Sequence, residues 1–144
     1  MAEGVFRDLV ARAGLIDTIQ IDSAGTHAYH VGNPPDPRAQ QATRRRGIDI
    51  GTLQGRKAVR RDFETFDYIL AMDRENHANL LAICPSGMEH KLRLFLEFAP
   101  DRPEQEVPDP YYGGVNGFER VLDMVEEAGR GLLDDIRARH RVDG

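Results

Sequence analysis

One short stretch of the sequence places a carboxylate where it could act as a general acid. Asp109 lies between Pro108 and Pro110, and Tyr111 and Tyr112 follow directly. Each proline fixes its own φ and restricts the residue before it, so the aspartate is expected in a stiff, non-helical loop. A rigid acid beside aromatic side chains suits protonation of a flat aryl leaving group. A surface turn is the alternative, because Asp-Pro and the two glycines that follow are common turn signals.

Composition and charge limit the classes of protein to which this sequence can belong. The net charge is −5, so nucleic acid is not an expected partner. No apolar run reaches the length of a membrane span, and the first residues lack the basic and apolar regions of a signal peptide. Cys84 is the single cysteine, and the five histidines show no metal spacing, so we expect no disulfide, metal or cofactor. We expect one cytoplasmic domain over residues 1–144.

Hydrophobic spacing predicts alternating helices and strands along the chain. Helices are predicted at residues 1–13, 37–46, 63–66, 74–83 and 117–140, and strands at 15–23, 67–72 and 91–98. The strand at 67–72 is almost wholly apolar and is predicted to be buried on both faces. The basic run 44–46 is predicted to form a solvated face in the last turn of its helix. Asp36, Asp62 and Asp73 are predicted to cap the helices that follow them, and Arg74 to pair at the surface. The alternation predicts an α/β sandwich with a parallel sheet, whose ligand site lies beyond the carboxyl ends of the strands.

Several motifs occur in order along the chain. They are Met1-Ala2-Glu3-Gly4-Val5-Phe6, Asp22-Ser23-Ala24-Gly25-Thr26, Val31-Gly32 with Asp36-Pro37-Arg38-Ala39, Ala71-Met72-Asp73-Arg74, and the Asp109 loop, residues 107–114. With them the sequence resembles the low-molecular-weight protein tyrosine phosphatases over its whole length. The resemblance implies a three-layer sandwich with a four-stranded parallel sheet in the order 2-1-3-4. It also implies hydrolysis of phosphotyrosine through a phosphocysteine intermediate, without a metal.

The resemblance assigns roles to particular residues. It implies that Asp109 is the general acid, which protonates the leaving oxygen and then activates water. It implies that Tyr29, Tyr111 and Tyr112 contact substrate, although ordinary packing remains open for all three. It implies that the hydroxyl of Ser23 helps to order the phosphate-binding loop. The implied partners are a phosphotyrosine-containing protein or a small aryl phosphate, with phosphoarginine left open.

The sequence departs from the family pattern at the nucleophile. The family's phosphate-binding loop, Cys-x-x-x-x-x-Arg, is absent, and Cys84 has His90 in the arginine position. We expect Cys84 to be a half-buried structural cysteine. Relative to the family, the chain is then N-terminally truncated and lacks the first strand of the sheet. We expect it to be inactive alone, with the exposed sheet repaired by a segment supplied in trans or by a homo-oligomer.

Two other functions remain as alternatives. A non-catalytic binding or regulatory pseudo-phosphatase module on the same fold would need no nucleophile. An arsenate reductase relative would need further redox cysteines beyond Cys84, and we rank it last.

Overall fold

The computed structural model describes residues 1–26, 32, 34–108 and 117–140. Its longer helices are α1 (Ala2–Arg12), α2 (Pro37–Arg44), α4 (Arg74–Ile83) and α5 (Gly117–His140), with a single-turn helix α3 at Asp62–Thr65. Two strands, β1 (Ile69–Ala71) and β2 (Leu92–Leu94), and two 3-10 turns, Glu89–Lys91 and Phe95–Phe98, complete the elements. No helix in the described ranges is long and apolar enough to cross a membrane.

The sheet is a parallel pair with helices on both faces. β1 pairs with β2 in register, with Ile69 opposite Leu92 and Ala71 opposite Leu94. The side chains of β1 alternate between two cores, as the pleat of a strand requires. Leu70 packs against the core built by α1, α2 and α5, whereas Ala71 packs with Phe63 and Leu80 on the other face. This arrangement confirms the predicted α/β sandwich with a parallel sheet.

Helix starts follow local side-chain chemistry. The carboxylate of Asp36 accepts a hydrogen bond from Arg38 N, and that of Asp73 accepts one from Asn76 N at 2.7 Å. Both predicted caps are therefore confirmed. Asp62 was wrongly predicted as a cap: it is the first residue of α3, and its carboxylate binds Val59 N and the guanidinium of Arg56 instead.

The strand predictions were less accurate. Residues 15–23 form turns followed by an irregular segment, and just beyond them Gly25 makes an isolated parallel bridge to Lys57. The prediction of a strand there was wrong because a strand exists only where a neighbour pairs with it, and none of the described residues does so. The strand predicted at 91–98 ends at Leu94 and continues as a 3-10 turn.

β1 was predicted to be buried on both faces, and it is not. Ala71 is buried, but Ile69 and Leu70 are only half-buried, although all three side chains are apolar. β1 has β2 on one side and no other strand partner within the described part of the chain. The partial exposure follows from its position at the edge of the sheet.

The prediction for the basic run 44–46 is correct only in part. Arg44 and Arg45 are exposed, as expected of a solvated face, but the side chain of Arg46 is only 22% exposed and binds α5. Its guanidinium lies 2.8 Å from Glu119, 3.0 Å from Asp123 and 3.1 Å from Glu126. Arg46 therefore fastens the end of α2 to the first turns of α5.

Candidate active site

The carboxyl end of β1 receives the segment that leads into the Asp109 loop. Val107 N donates a hydrogen bond to the carbonyl oxygen of Met72 at 2.7 Å, directly after β1. Val107 is buried, as expected for a fixed anchor. The chain therefore enters the loop at the edge of the sheet where parallel strands present their ligand sites.

A second contact holds the same segment. Arg74 N donates to a carboxylate oxygen of Glu106 at 2.9 Å, and its guanidinium pairs with Glu106 and with the side chain of Gln105. The surface pairing predicted for Arg74 is thus confirmed, and its partner is the segment before Asp109. At the far end of the loop, α5 begins at Gly117 and is held by Arg46 through Glu119.

Ser23 lies beside this end of the sheet and is bound to α1. Its hydroxyl donates to Glu3 Oε1 at 2.6 Å, and the other carboxylate oxygen accepts from Arg7 Nε at 2.9 Å. Arg7 also donates to the carbonyl oxygen of Ile21 at 2.7 Å. Glu3 is only 8% exposed, so its charge depends on these two donors. The network fixes residues 21–24, which we call the Ser23 segment, to the start of α1.

Replacing Ser23 by alanine should lower the free energy of unfolding by about 1 kcal/mol, because a buried carboxylate loses one charge-assisted hydrogen bond while keeping Arg7. Urea denaturation followed by circular dichroism measures the change. Ser86→Ala, at an exposed turn, is the matched control and should leave stability unchanged. Equal stabilities for the two variants would show that the Ser23–Glu3 bond does not stabilise the fold.

A cavity of about 540 Å³ opens between the Ser23 segment and β1. Residues 21–24 and 69–72 line it, together with Val107 and Pro108 at the entry to the Asp109 loop. We call this cavity the sheet cleft. Ser23 and the entry to the acid loop, which lie far apart in sequence, therefore meet at one place.

An ion-pair cluster at the sheet cleft was not predicted from the sequence. Arg56 Nε lies 3.0 Å from Asp22, and its terminal nitrogens bind both carboxylate oxygens of Asp62 at 3.0 and 3.1 Å. All three residues line the cleft. Arg56 joins the Ser23 segment to α3, a long-range contact for which a single sequence carries no spacing signal.

Cys84 is not positioned as a nucleophile. It is half-buried at the end of α4 and does not line the sheet cleft. Burial, with a smaller effect of the Glu89 carboxylate, raises the pKa of its thiol. A raised pKa keeps the thiol protonated at neutral pH, and the thiol is a far weaker nucleophile than the thiolate. The prediction of a half-buried cysteine is confirmed.

The remaining candidate residues lie outside the described part of the chain. They are Tyr29, Asp109, Tyr111 and Tyr112, and their roles stay predictions.

Comparison with known proteins identifies the family to which the chain belongs. A family model for low molecular weight phosphotyrosine protein phosphatase matches residues 1–142. The chain is 48% identical to the enzyme of that name from Schizosaccharomyces pombe over 139 residues, which cover 94% of this chain and 87% of the relative. It is 38% identical over 142 residues to the low molecular weight protein-tyrosine-phosphatase YfkJ of Bacillus subtilis, covering 99% of this chain and 90% of the relative.

The fold agrees with that class. The crystal structure of the protein tyrosine phosphatase from Entamoeba histolytica superposes with a TM-score of 0.91 at 36% identity, covering 98% of this chain and 89% of that one. The chain belongs to the low-molecular-weight phosphotyrosine protein phosphatases, and so to a family of hydrolases.

Proposed function

We propose that this protein takes part in the hydrolysis of phosphotyrosine. In this proposal Asp109 is the general acid that protonates the leaving phenol oxygen. The observation that carries the proposal is the bond from Val107 N to the carbonyl of Met72, two residues before the aspartate. It fixes the entry of the acid loop at the carboxyl end of β1, beside Ser23 and the sheet cleft. An acid held there can reach a phosphoryl group bound at the same edge.

The other residues have supporting roles in this proposal. Tyr29, Tyr111 and Tyr112 contact the aryl group of the substrate, and Ser23 orders the backbone that binds the phosphoryl group. The substrate is a phosphotyrosine-containing protein or a small aryl phosphate, and the reaction takes place in the cytoplasm. Neither nucleic acid nor a membrane takes part.

The 144-residue chain supplies the general acid of this reaction but not its nucleophile or its phosphate-binding arginine. The family reaction needs a cysteine thiolate and an arginine within one phosphate-binding loop, and the sequence contains no Cys-x-x-x-x-x-Arg. In our proposal residues 1–144 form a single phosphatase-like domain, which is inactive alone because it contains no such loop. We further propose a homo-oligomer, in which a second copy of the chain covers the edge of β1 that has no strand partner among the described residues.

A longer protein would test the role of Asp109. We would read the DNA directly upstream of Met1 and, where it encodes an in-frame Cys-x-x-x-x-x-Arg, express the longer protein. Asp109→Ala should then lower kcat for phenyl phosphate by about 10²–10⁴-fold, the usual contribution of a general acid. The decrease in kcat should be smaller for p-nitrophenyl phosphate, because p-nitrophenolate is a better leaving group than phenolate and depends less on protonation.

The control is Asp101→Ala, which removes an exposed carboxylate from a turn that precedes the acid loop and should leave kcat unchanged. Wild-type kcat in Asp109→Ala would refute the general-acid role. An upstream stop codon would favour the alternative, a non-catalytic pseudo-phosphatase module, over the enzyme.

A further inference from the structure

Three exposed cations lie close together in the chain beside the sheet cleft. They are Lys57, Arg60 and Arg61, and the exposed side chain of Val59 lies among them. We call residues 57–61 the basic strip. The protein as a whole is acidic, with a net charge of −5, so the strip is a local reversal of sign. A surface of this kind attracts a partner of negative charge.

The cations of the basic strip are not used by the fold. None of the three forms an ion pair with a carboxylate in the described part of the chain, whereas Arg56, directly before the strip, binds Asp22 and Asp62. Glu64, an exposed residue of α3, is not paired with either arginine of the strip. Acidic residues, not basic ones, are favoured at the start of a helix, so the two arginines do not stabilise α3. Their charges are available to a partner.

Hydrogen bonds hold the backbone of the basic strip in place. The parallel bridge between Gly25 and Lys57 fixes one end, and in it Ala58 N donates to the carbonyl oxygen of Gly25 at 2.8 Å. Nearer the other end, the carboxylate of Asp62 accepts a hydrogen bond from Val59 N at 2.8 Å. Because the backbone is already ordered, a partner that binds the strip has only side chains to immobilise.

The basic strip begins at the wall of the sheet cleft. Arg56 and Ala58 line the cleft, whereas Lys57 between them is exposed and does not line it. Side chains alternate in an extended segment, so Lys57 points outward from this wall. The strip therefore leads from the cleft to the outer surface, and its backbone extends at most about 14 Å from Lys57 to Arg61. A polypeptide that leaves the cleft along the strip would meet it with three or four residues.

An acidic peptide fits the basic strip better than an anionic membrane does. Segments that bind anionic lipid through charge typically carry about four to eight Lys and Arg residues, whereas the strip has three unpaired cations. The residues of an extended peptide recur at about 3.3 Å, so a few neighbouring Asp or Glu side chains can reach all three cations. Charge complementarity of this kind contributes mainly to specificity and to the rate of association.

We propose that the basic strip binds acidic residues that flank the phosphotyrosine of a protein substrate. The strip then selects substrates with Asp or Glu within about four residues of the phosphotyrosine, the number that spans it at about 3.3 Å per residue. The phosphotyrosine in this inference rests on the proposed function, whereas the preference for acidic residues rests on the strip alone.

Two peptides test the proposal on the 144-residue chain. The probe is acetyl-Glu-Glu-Glu-Tyr-Glu-Glu-Glu-amide, and the control peptide carries glutamine in place of every glutamate. The tyrosine is not phosphorylated, so the readout does not depend on recognition of a phosphoryl group. Titration followed by NMR at low ionic strength should shift the amide signals of residues 57–61, with the control peptide at least tenfold weaker. High salt should weaken binding of the probe, because it screens exposed charges.

Matched variants localise the binding. The strip variant, Arg60→Gln with Arg61→Gln, should bind the probe at least fivefold more weakly than the wild type. The control variant, Arg44→Gln with Arg137→Gln, removes two exposed arginines from α2 and α5 and should bind as the wild type does. The two variants change the net charge equally, so a general attraction to the protein would weaken equally in both. Thermal melts verify that each variant is folded.

Three results would overturn the proposal. They are equal binding of the two peptides, shifts by the probe that leave residues 57–61 unaffected, and equal weakening in the two variants. Vesicles that contain phosphatidylserine are a further probe, and the chain should not bind them. Binding to vesicles that the strip variant loses, together with equal binding of the two peptides, would make a membrane the partner. These readouts do not require turnover, so failure of the proposed phosphotyrosine hydrolysis would leave them unchanged.

Discussion

Replacing Gly131 by alanine should lower the free energy of unfolding by about 2 kcal/mol, the upper end of an overpacking cost less the gain in helix propensity. A Cβ atom on Gly131 would lie 1.9 Å from the carbonyl oxygen of Phe98 and 2.9 Å from its carbonyl carbon. Both are backbone atoms of the 3-10 turn against which α5 packs, so relief requires the helix to move. Overpacking typically costs about 1–3 kcal/mol. Alanine gains about 1 kcal/mol over glycine in a helix, and the contact with Phe98 outweighs that gain.

Gly129→Ala is the matched control within α5. Its Cβ would lie 2.9 Å from Leu9 Cδ1, the far end of a flexible side chain that can rotate away. The expected change is less than about 1 kcal/mol, because the helix propensity of alanine offsets the adjustment. Urea denaturation of both variants and the wild type measures the difference. A Gly131→Ala variant at least as stable as the wild type would show that α5 does not pack this closely on Phe98.

The 144-residue chain should form no covalent phosphoenzyme. A phosphocysteine requires a thiolate beside the phosphoryl group, and Cys84 is half-buried, outside the sheet cleft and held protonated by a raised pKa. We would mix the chain with p-nitrophenyl phosphate, quench in acid and measure the intact mass. Unmodified protein is the expected result, for the wild type and for Cys84→Ser alike. A phosphoryl adduct that is present in the wild type and lost in Cys84→Ser would contradict it.

Helices could be predicted from the sequence because their signals are local. The carboxylates of Asp36 and Asp73 bind amides two and three residues ahead, so the sequence itself holds both donor and acceptor. Strands depend on a neighbour that can lie anywhere in the chain. The apolar residues Ile19 and Ile21 alternate as in a strand, yet their segment has no ladder partner among the described residues.

The contacts that support the site could not be predicted from the sequence, because they too join residues that lie far apart in the chain. Ser23 and Glu3 are 20 residues apart, and Arg46 and Glu119 are 73 apart. One signal was available for Glu3: it shares the helical face of Phe6 and Val10, which are both buried. A carboxylate on the buried face of a helix needs a donor, and a search for that donor would have pointed to a residue such as Ser23.

The most direct test of the central claim compares phosphate release by the 144-residue chain and by its Asp109→Ala variant. The substrate is an aryl phosphate at mildly acidic pH, with buffer alone as the baseline. A general acid cannot act without a nucleophile to displace the group it protonates, so both proteins should match buffer. Turnover by the wild type that disappears in Asp109→Ala would show that the chain holds a complete catalytic site and would contradict the account.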